Sequence, residues 1–434
     1  MKRLTLLLLL AVPVVTMAQS IAEKADGLLT TYAQQNRFSG NVLIAIKGEI
    51  VFEKAYGYAD KENNRLNNLQ TEFRAGSLTK MFTSTLIMQL VEARKIALTD
   101  KVSKYVPGFP YGDKITIKNL LSHTSGILGT TSPDADNAAD LVKTFKSEPL
   151  AFNPGERFEY NNFNYILLAY IAQKITGVSY PQLVKQRVFN KAGMIHTGID
   201  YPGRKSTDAA LGYTLNRETG QTERIETANV SAASGAGALY TTVNDLLKWA
   251  KAIDEHKVLS VKSYETAITP VQPGYGLGWI VNNDSDRLRI GHTGSIEGFM
   301  ADFVHYPKED ITIIFLCNLL PPVDMHIERA LIAIVFNEPY SLETDKKEIK
   351  LSTDELAQYT GTFETDGQKM VVSVKDGKLY VLAPGGDTAE LAAQAKDKFF
   401  VVGPQVSVEF LRKDGKIDAI SVDMHGGITF KKVL

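Results

Sequence analysis

The sequence predicts an α/β (α+β) chain built on a mixed or antiparallel sheet, followed by a separate all-β tail. Three observations carry this. Strand-like runs open the body at 41–57 and return at 276–316, flanking a mainly helical stretch at 115–260, a pattern of one sheet interrupted by a helical insertion. Beyond residue 355, short β-type runs alternate with turn dipeptides, the pattern of a sandwich or small barrel. The length of 434 residues leaves room for two or three domains.

In chain order, the N-terminus reads as an export signal at 1–18. Lys2 and Arg3 precede an apolar core from Leu4 to Val15, and Thr16-Met17-Ala18 is a small-x-small site with cleavage expected after Ala18. The apolar run is shorter than the roughly 20 residues that span a bilayer, and no cysteine follows to carry a lipid anchor. An exported protein, periplasmic or secreted and without a stable membrane span, is expected. Val42–Ile46, a Lys-Gly turn and Ile50–Gly57 read as a β-hairpin at 41–57. From Ser77 to Arg94, apolar Phe82, Leu86, Leu90 and Ala93 recur at helical spacing, predicting an amphipathic helix. Strands are expected at Gly276–Val281, Leu288–Gly291, Gly298–Tyr306 and Ile311–Cys317, and a helix end at Leu331–Phe336. The first domain is expected over 19–340. A charged run, Glu343 to Glu348, marks a linker at 341–355. In the tail, 356–434, strands are expected at Met370–Val374, Lys378–Leu382, Lys398–Val402, Val406–Arg412, Ala419–Met424 and Ile428–Val433. Turns fall at Asp376-Gly377, Gly385-Gly386, Asp414-Gly415 and Gly426-Gly427.

Composition excludes several function classes. With 44% hydrophobic and 22% charged residues the chain is globular rather than disordered. With 48 basic and 49 acidic residues it has no broad electrostatic claim on nucleic acid, and no basic run supplies a local one. A single cysteine, Cys317, excludes an intrachain disulfide and a cysteine-based zinc site. Seven scattered histidines form no HxH or HExxH, so neither metal nor cofactor is expected.

Three short segments carry chemistry. In Gly76-Ser77-Leu78-Thr79-Lys80, serine and lysine at i and i+3 share a helix face. A serine hydroxyl needs a nearby base to become a nucleophile, and a lysine held in a protein interior can lose its charge and serve. The helix N-terminus adds free N–H groups suited to a developing oxyanion. In Tyr160-Asn161-Asn162, a phenol beside two cations is expected to have a lowered pKa and act as a proton shuttle, and Asn162 to reach the substrate carbonyl and the lysine. In Gly291-His292-Thr293-Gly294-Ser295, glycine beside a cleft admits a substrate backbone closely, and the Ser295 N–H offers a second oxyanion donor. Taken one at a time, each segment also reads as ordinary structure: a capped helix with a solvated lysine, an Asn cap behind a packed tyrosine, a strand-turn-strand with a buried histidine.

Their order and spacing resemble the serine β-lactamase/penicillin-binding protein superfamily, in its class C β-lactamase-like branch. Leu120-Leu121-Ser122-His123-Thr124-Ser125-Gly126, Gly193-Met194-Ile195-His196-Thr197, Ser234 to Leu246 and Tyr275-Gly276-Leu277-Gly278-Trp279 add to the resemblance, which spans roughly 25–335. It implies a β-lactamase/transpeptidase-like fold: an antiparallel sheet flanked by helices with a helical subdomain. It also implies roles. Ser77 becomes acylated, and Lys80 and Tyr160 exchange protons with it. Asn162 positions carbonyl and lysine, and the N–H groups of Ser77 and Ser295 form the oxyanion hole. His292 and Thr293, with Gly294, lie toward the substrate's carboxyl side. The expected substrate is a small-molecule or peptide acyl compound. His292 stands where many β-lactamases and penicillin-binding proteins have lysine. A mostly neutral histidine there favours esters, amides or less anionic peptides over efficient β-lactam hydrolysis. His123 invites a Ser-His-Asp reading, but the resemblance makes it structural, and no GxSxG elbow exists. The tail resembles, weakly, lipocalin-like barrels appended in this branch, on Tyr359-Thr360-Gly361-Thr362-Phe363. Two other expectations compete with a hydrolase: an idle homologue that binds cell-wall peptides or a partner, and a ligand module in the tail.

Overall fold

The computed structural model describes residues 12–128, 138–145, 149–216, 221–226, 229–320, 324–340, 348–365, 368–383, 388–402, 406–422 and 428–433. Most of the expected export segment, residues 341–347 of the expected linker, and the Gly385-Gly386 and Gly426-Gly427 turns lie outside them. The chain divides into two compact units, Met1–Tyr340 and Ser341–Leu434.

The first unit is organised by a six-stranded antiparallel sheet. Its strands are β1 (Gly40–Ile46), β2 (Glu49–Tyr56), β3 (Ile280–Asp284), β4 (Arg287–Ile296), β5 (Phe299–Tyr306) and β6 (Ile311–Cys317), in spatial order 3-4-5-6-1-2. The two ends of the chain segment thus meet at the β1–β6 pair, where Gly40 lies opposite Cys317 and Ile46 opposite Ile311. The β1–β2 hairpin turns at Lys47 (φ 53) and Gly48 (φ 74), the two left-handed residues that a tight hairpin turn requires. Both faces of the sheet are covered, which explains its near-continuous apolar strands. Val42, Ile44, Ile313 and Phe315 pack with Ala25, Leu28 and Leu29 of helix α1 (Val12–Gln34) on one side. Leu43, Ala45, Ile314 and Leu316 join the larger helical core on the other. Each of the Val, Leu, Ile and Phe side chains among them contributes about 1.5–3 kcal/mol of burial. Helix α1 runs without a break through Ala18, and among the described residues no helix is long and apolar enough to cross a membrane.

The helical core surrounds helix α2 (Thr79–Glu92), with α3 (Asn162–Thr176) and α4 (Val243–Asp254) among its neighbours. The expected amphipathic helix needs correction here. Every residue from Thr79 to Leu90 is buried, and its polar side chains find partners inside. Thr83 donates to Gly235 O (2.6 Å), Ser84 to Leu277 O, and Gln89 to Val258 O (2.8 Å). The expected strand at Gly276–Val281 begins only at Ile280. Gly278 sits at φ +82, and a Cβ on Gly276 would lie 2.3 Å from Ala267 O. The segment is therefore pressed against helices instead of paired in the sheet.

The second unit is a closed eight-stranded barrel, sealed where Thr362 pairs with Val433. Its inward side chains fill it: Tyr359, Phe363, Phe399 and Phe410 form one aromatic cluster, with Tyr359 and Phe410 ring centres 4.8 Å apart. The turns at Asp376-Gly377 (φ 52 and 73) and Asp414-Gly415 (φ 51 and 78) are as expected. Two strands escaped the sequence reading, Gly361–Thr365 and Thr388–Ala395.

Candidate active site

The strand Phe73–Gly76 pairs with Leu239–Thr241 and delivers the chain to Ser77. Gly76 turns it at φ +49. Ser77 and Leu78 then form a tight turn, with Lys80 N–H donating to Ser77 O at 3.0 Å. Helix α2 starts at Thr79, two residues later than the sequence suggests. Ser77 is half-buried and Lys80 fully buried.

The Lys80 amine has three oxygen neighbours: Ser77 Oγ at 2.9 Å, Asn162 Oδ1 at 2.8 Å and Ala236 O at 2.8 Å. Desolvation holds its pKa well below the usual lysine range. A neutral amine has two hydrogens and one lone pair. Two of the three neighbours are carbonyl oxygens that only accept, so they take both hydrogens. In that neutral form the lone pair is left to accept from the Ser77 hydroxyl. The arrangement sets a base against a serine without a histidine.

Tyr160 completes this cluster. The Lys80 nitrogen lies 4.7 Å from its ring centre, and its phenol faces Ser77, whose side chain favours the phenolate. The residue as a whole stays 42% exposed, with the His123 ring packed against its own, centres 4.3 Å apart. The expected lowering of its pKa is not found. Burial raises it, and Ser77 only partly opposes. At neutral pH this phenol is a proton donor. Asn161 caps helix α3 by accepting from Phe163 N–H at 2.8 Å, which places the next residue, exposed Asn162, toward the lysine.

The third segment is not a turn. Strand β4 runs through it to Ile296, paired with β5. Alternation turns exposed Thr293 and Ser295 to one face and buried His292 and Gly294 to the other. A Cβ on Gly294 would lie 2.0 Å from Ala75 O and 3.1 Å from Ser77 N, and one on Gly76 would lie 3.0 Å from Ser295 N. Only glycine at both positions lets the backbones of Ser77 and Ser295 approach this closely, as two converging oxyanion donors require. The His292 ring is withdrawn, at 3% exposure. Its Nδ1 donates to Thr293 O at 2.6 Å, which leaves Nε2 to accept from the Tyr275 hydroxyl at 3.1 Å. Burial holds its pKa down, to about 3, so it is neutral.

The structure thus brings Ser77, Lys80, Tyr160 and Asn162 together, with Gly294 and Ser295 beside them and Thr293 on the same face as Ser295. Sequence reasoning missed two participants. Ala236 contributes a backbone carbonyl, which no side-chain motif can announce. Its signal is the small-residue run Ser234-Gly235-Ala236-Gly237: a Cβ on Gly235 would lie 2.6 Å from Tyr165 O, so only glycine seats this turn on α3. Tyr275 enters the sequence reading only within the segment Tyr275-Gly276-Leu277-Gly278-Trp279 that adds to the resemblance. No group of His, Cys, Asp and Glu able to hold a metal occurs among the described residues.

Comparison with known proteins gives a consistent picture. The family described as Beta-lactamase matches residues 18–336. Penicillin-binding protein 4* of Bacillus subtilis (strain 168) is 30% identical over 430 residues, covering 91% of this chain and 94% of the relative. The crystal structure of a penicillin binding protein from Bacillus halodurans is 25% identical, with a TM-score of 0.64 over 71% of this chain and 98% of that one. An octameric penicillin-binding protein homologue from Pyrococcus abyssi shares the fold at 24% identity, with a TM-score of 0.65 over 96% of this chain and 100% of the other.

Proposed function

The chain belongs to the beta-lactamase family, in the serine β-lactamase/penicillin-binding protein superfamily, and on that premise we propose that it is an exported serine hydrolase acting on ester, amide or peptide substrates through a Ser77 acyl-enzyme. One observation carries the reading: the buried Lys80 amine, which lies 2.9 Å from Ser77 Oγ and 2.8 Å from each of Asn162 Oδ1 and Ala236 O.

In the first step Ser77 Oγ attacks the substrate carbonyl carbon, and its proton passes to the Lys80 nitrogen. The carbonyl electrons move to oxygen, and the N–H groups of Ser77 and Ser295 receive the oxyanion. Collapse of that intermediate breaks the bond to the leaving group. The leaving group takes a proton from the Tyr160 phenol, which Lys80 reprotonates. Water then reverses the sequence, giving its proton to the same pair and releasing the acid. Preorganised donors of this kind are worth about 3–4 kcal/mol each in the transition state.

His292 supports the less anionic substrate class. A neutral ring with both nitrogens engaged offers no charge to a substrate carboxylate. Exposed Thr293 and Ser295 offer hydroxyls instead.

The test is intact-protein mass after brief exposure to a penicillin and, separately, to a short-chain activated ester, with Ser77→Ala alongside. Ester turnover lost in Ser77→Ala, without a penicillin adduct, is the expected result. A Ser77-dependent penicillin adduct would redirect the assignment to peptidoglycan-type substrates. No reaction with either reagent would overturn the hydrolase reading in favour of a binding protein.

A further inference from the structure

His123 lies outside the set of groups that exchange protons with substrate, yet it grips the chain at three consecutive residues around the phenol. Its carbonyl accepts from Glu159 N–H at 2.9 Å. Its ring packs on the Tyr160 ring, centres 4.3 Å apart at 32°. Its Nδ1 accepts from Asn161 N–H at 3.1 Å. The last amide is the link between Tyr160 and the cap that precedes Asn162. Backbone hydrogen bonds therefore flank Tyr160 on both sides, and one residue makes both.

The surroundings leave His123 no freedom to do otherwise. It is fully buried, and its backbone sits at φ 55, a left-handed conformation that histidine adopts more readily than most side chains. Asn164 Oδ1 accepts from the Ser125 hydroxyl at 2.8 Å, which turns its Nδ2 toward His123 Nδ1 at 3.3 Å. Two N–H donors converge on Nδ1, so that nitrogen carries no proton and the ring is the neutral Nε2–H tautomer. Among the described residues Nε2 is buried without a hydrogen-bond partner, beside the rings of Tyr160, Tyr165, Tyr275 and Phe158. A buried N–H without a partner carries a penalty. The three grips on 159–161 are what the position returns for it.

We infer that His123 is a positioning residue: it fixes the Tyr160 phenol against Ser77 and Lys80 by holding the backbone on both sides of Tyr160 and backing its ring. The inference rests on the reading above, in which that phenol passes a proton to the leaving group.

Two substitutions separate the two contacts. His123→Phe keeps a ring behind Tyr160 and removes the acceptor. His123→Asn removes the ring and places an amide oxygen close to where Nδ1 stands. Kinetics of the full chain with p-nitrophenyl acetate should show kcat falling about 10- to 100-fold in His123→Phe, the scale of a misplaced catalytic group, with KM within about twofold. His123→Asn should recover most of that loss. In a Tyr160→Phe background the same His123→Phe change should cost less than about twofold, because the two act through one group. Equal losses with and without Tyr160, or identical behaviour of the Phe and Asn variants, would overturn the inference. Should His123→Phe not fold, His123→Gln moves the acceptor away from the Nδ1 position and enters the same cycle. Amide hydrogen exchange at Asn161 provides a readout independent of turnover. It should quicken in His123→Phe but not in His123→Asn, and unchanged exchange would overturn the inference. A wild type without Ser77-dependent turnover would sink the hydrolase reading, while the exchange result would still decide whether His123 holds this segment.

Discussion

In the first unit, the helix at the centre of the core takes a lysine, three threonines, a serine and a glutamine into burial. In the barrel, the buried side chains among the described residues are apolar save for the Tyr359 hydroxyl, which accepts from Asp397 N–H at 3.2 Å. Its ion pairs Arg412 with Asp397 and Lys378 with Glu390 stay partly open to solvent. Both units are folded by burial of apolar surface, and only one spends part of its interior on groups that must be desolvated. Such groups persist where partners satisfy them. On the proposed reading reactivity lies in the first unit; among the described residues of the barrel the one buried side-chain hydroxyl, that of Tyr359, is engaged with Asp397, which weighs against an internal ligand module in the tail.

The sharpest way to break the contrast is to remove the buried amine. Lys80→Met keeps the volume and removes the base. Ester turnover should fall by about 10²- to 10⁴-fold, the range for a positioned acid–base group, with far-UV circular dichroism unchanged. Retention of more than a tenth of the rate would mean that another group takes the Ser77 proton. In the barrel the matching change is Phe410→Ala, at the meeting point of Tyr359, Phe363 and Phe399. It should lower the barrel's unfolding free energy by about 3–5 kcal/mol in urea titration while leaving the rate of Ser77 acylation within about twofold. A large drop in acylation would show that the barrel serves the site.

Gly294→Ala tests the backbone side of the site. Its new methyl would be driven to within 2.0 Å of Ala75 O, so strand β4 must move away from Ser77. A lost oxyanion donor should lower kcat by about 10²- to 10³-fold with smaller change in KM. Wild-type kcat in this variant would remove Ser295 from the oxyanion hole.

The sequence read this molecule unevenly, for physical reasons. Hairpin and barrel turns with Lys-Gly or Asp-Gly were legible because positive φ restricts the residues that can stand there. Ser77, Lys80, Tyr160 and Asn162 were legible as motifs because each contributes a side chain. Ala236 was not, since its contribution is a carbonyl. Strand Thr388–Ala395 was missed because Ala-Glu-Leu-Ala-Ala-Gln-Ala favours helix locally, and only pairing with Leu379–Leu382 and Lys398–Val401 makes it a strand. The raised pKa of Tyr160 was missed because it comes from burial of the phenol itself, which spacing does not reveal.

The smallest effect expected is on acid stability, and it comes from His292. Burial is the larger cause of its depressed pKa of about 3 and a charge on Lys80 the smaller, with the hydrogen bond to Thr293 O opposing both. An unfolded histidine titrates near 6.5. Between about pH 6.5 and 3 the unfolded chain therefore binds a proton that folded His292 refuses. Stability is retained in full above that window and declines within it by up to about 1.4 kcal/mol per pH unit. Paired carboxylates and the equally buried His123 add their own acid dependence, so the quantity to compare is the difference between wild type and His292→Gln. Urea unfolding of the first unit at pH 7, 6, 5 and 4.5 should give a shallower decline in the variant, by as much as one proton's worth. Equal slopes would mean that His292 is protonated in the folded protein. It would then present a cation beside Thr293, and the preference for less anionic substrates would lose its electrostatic basis.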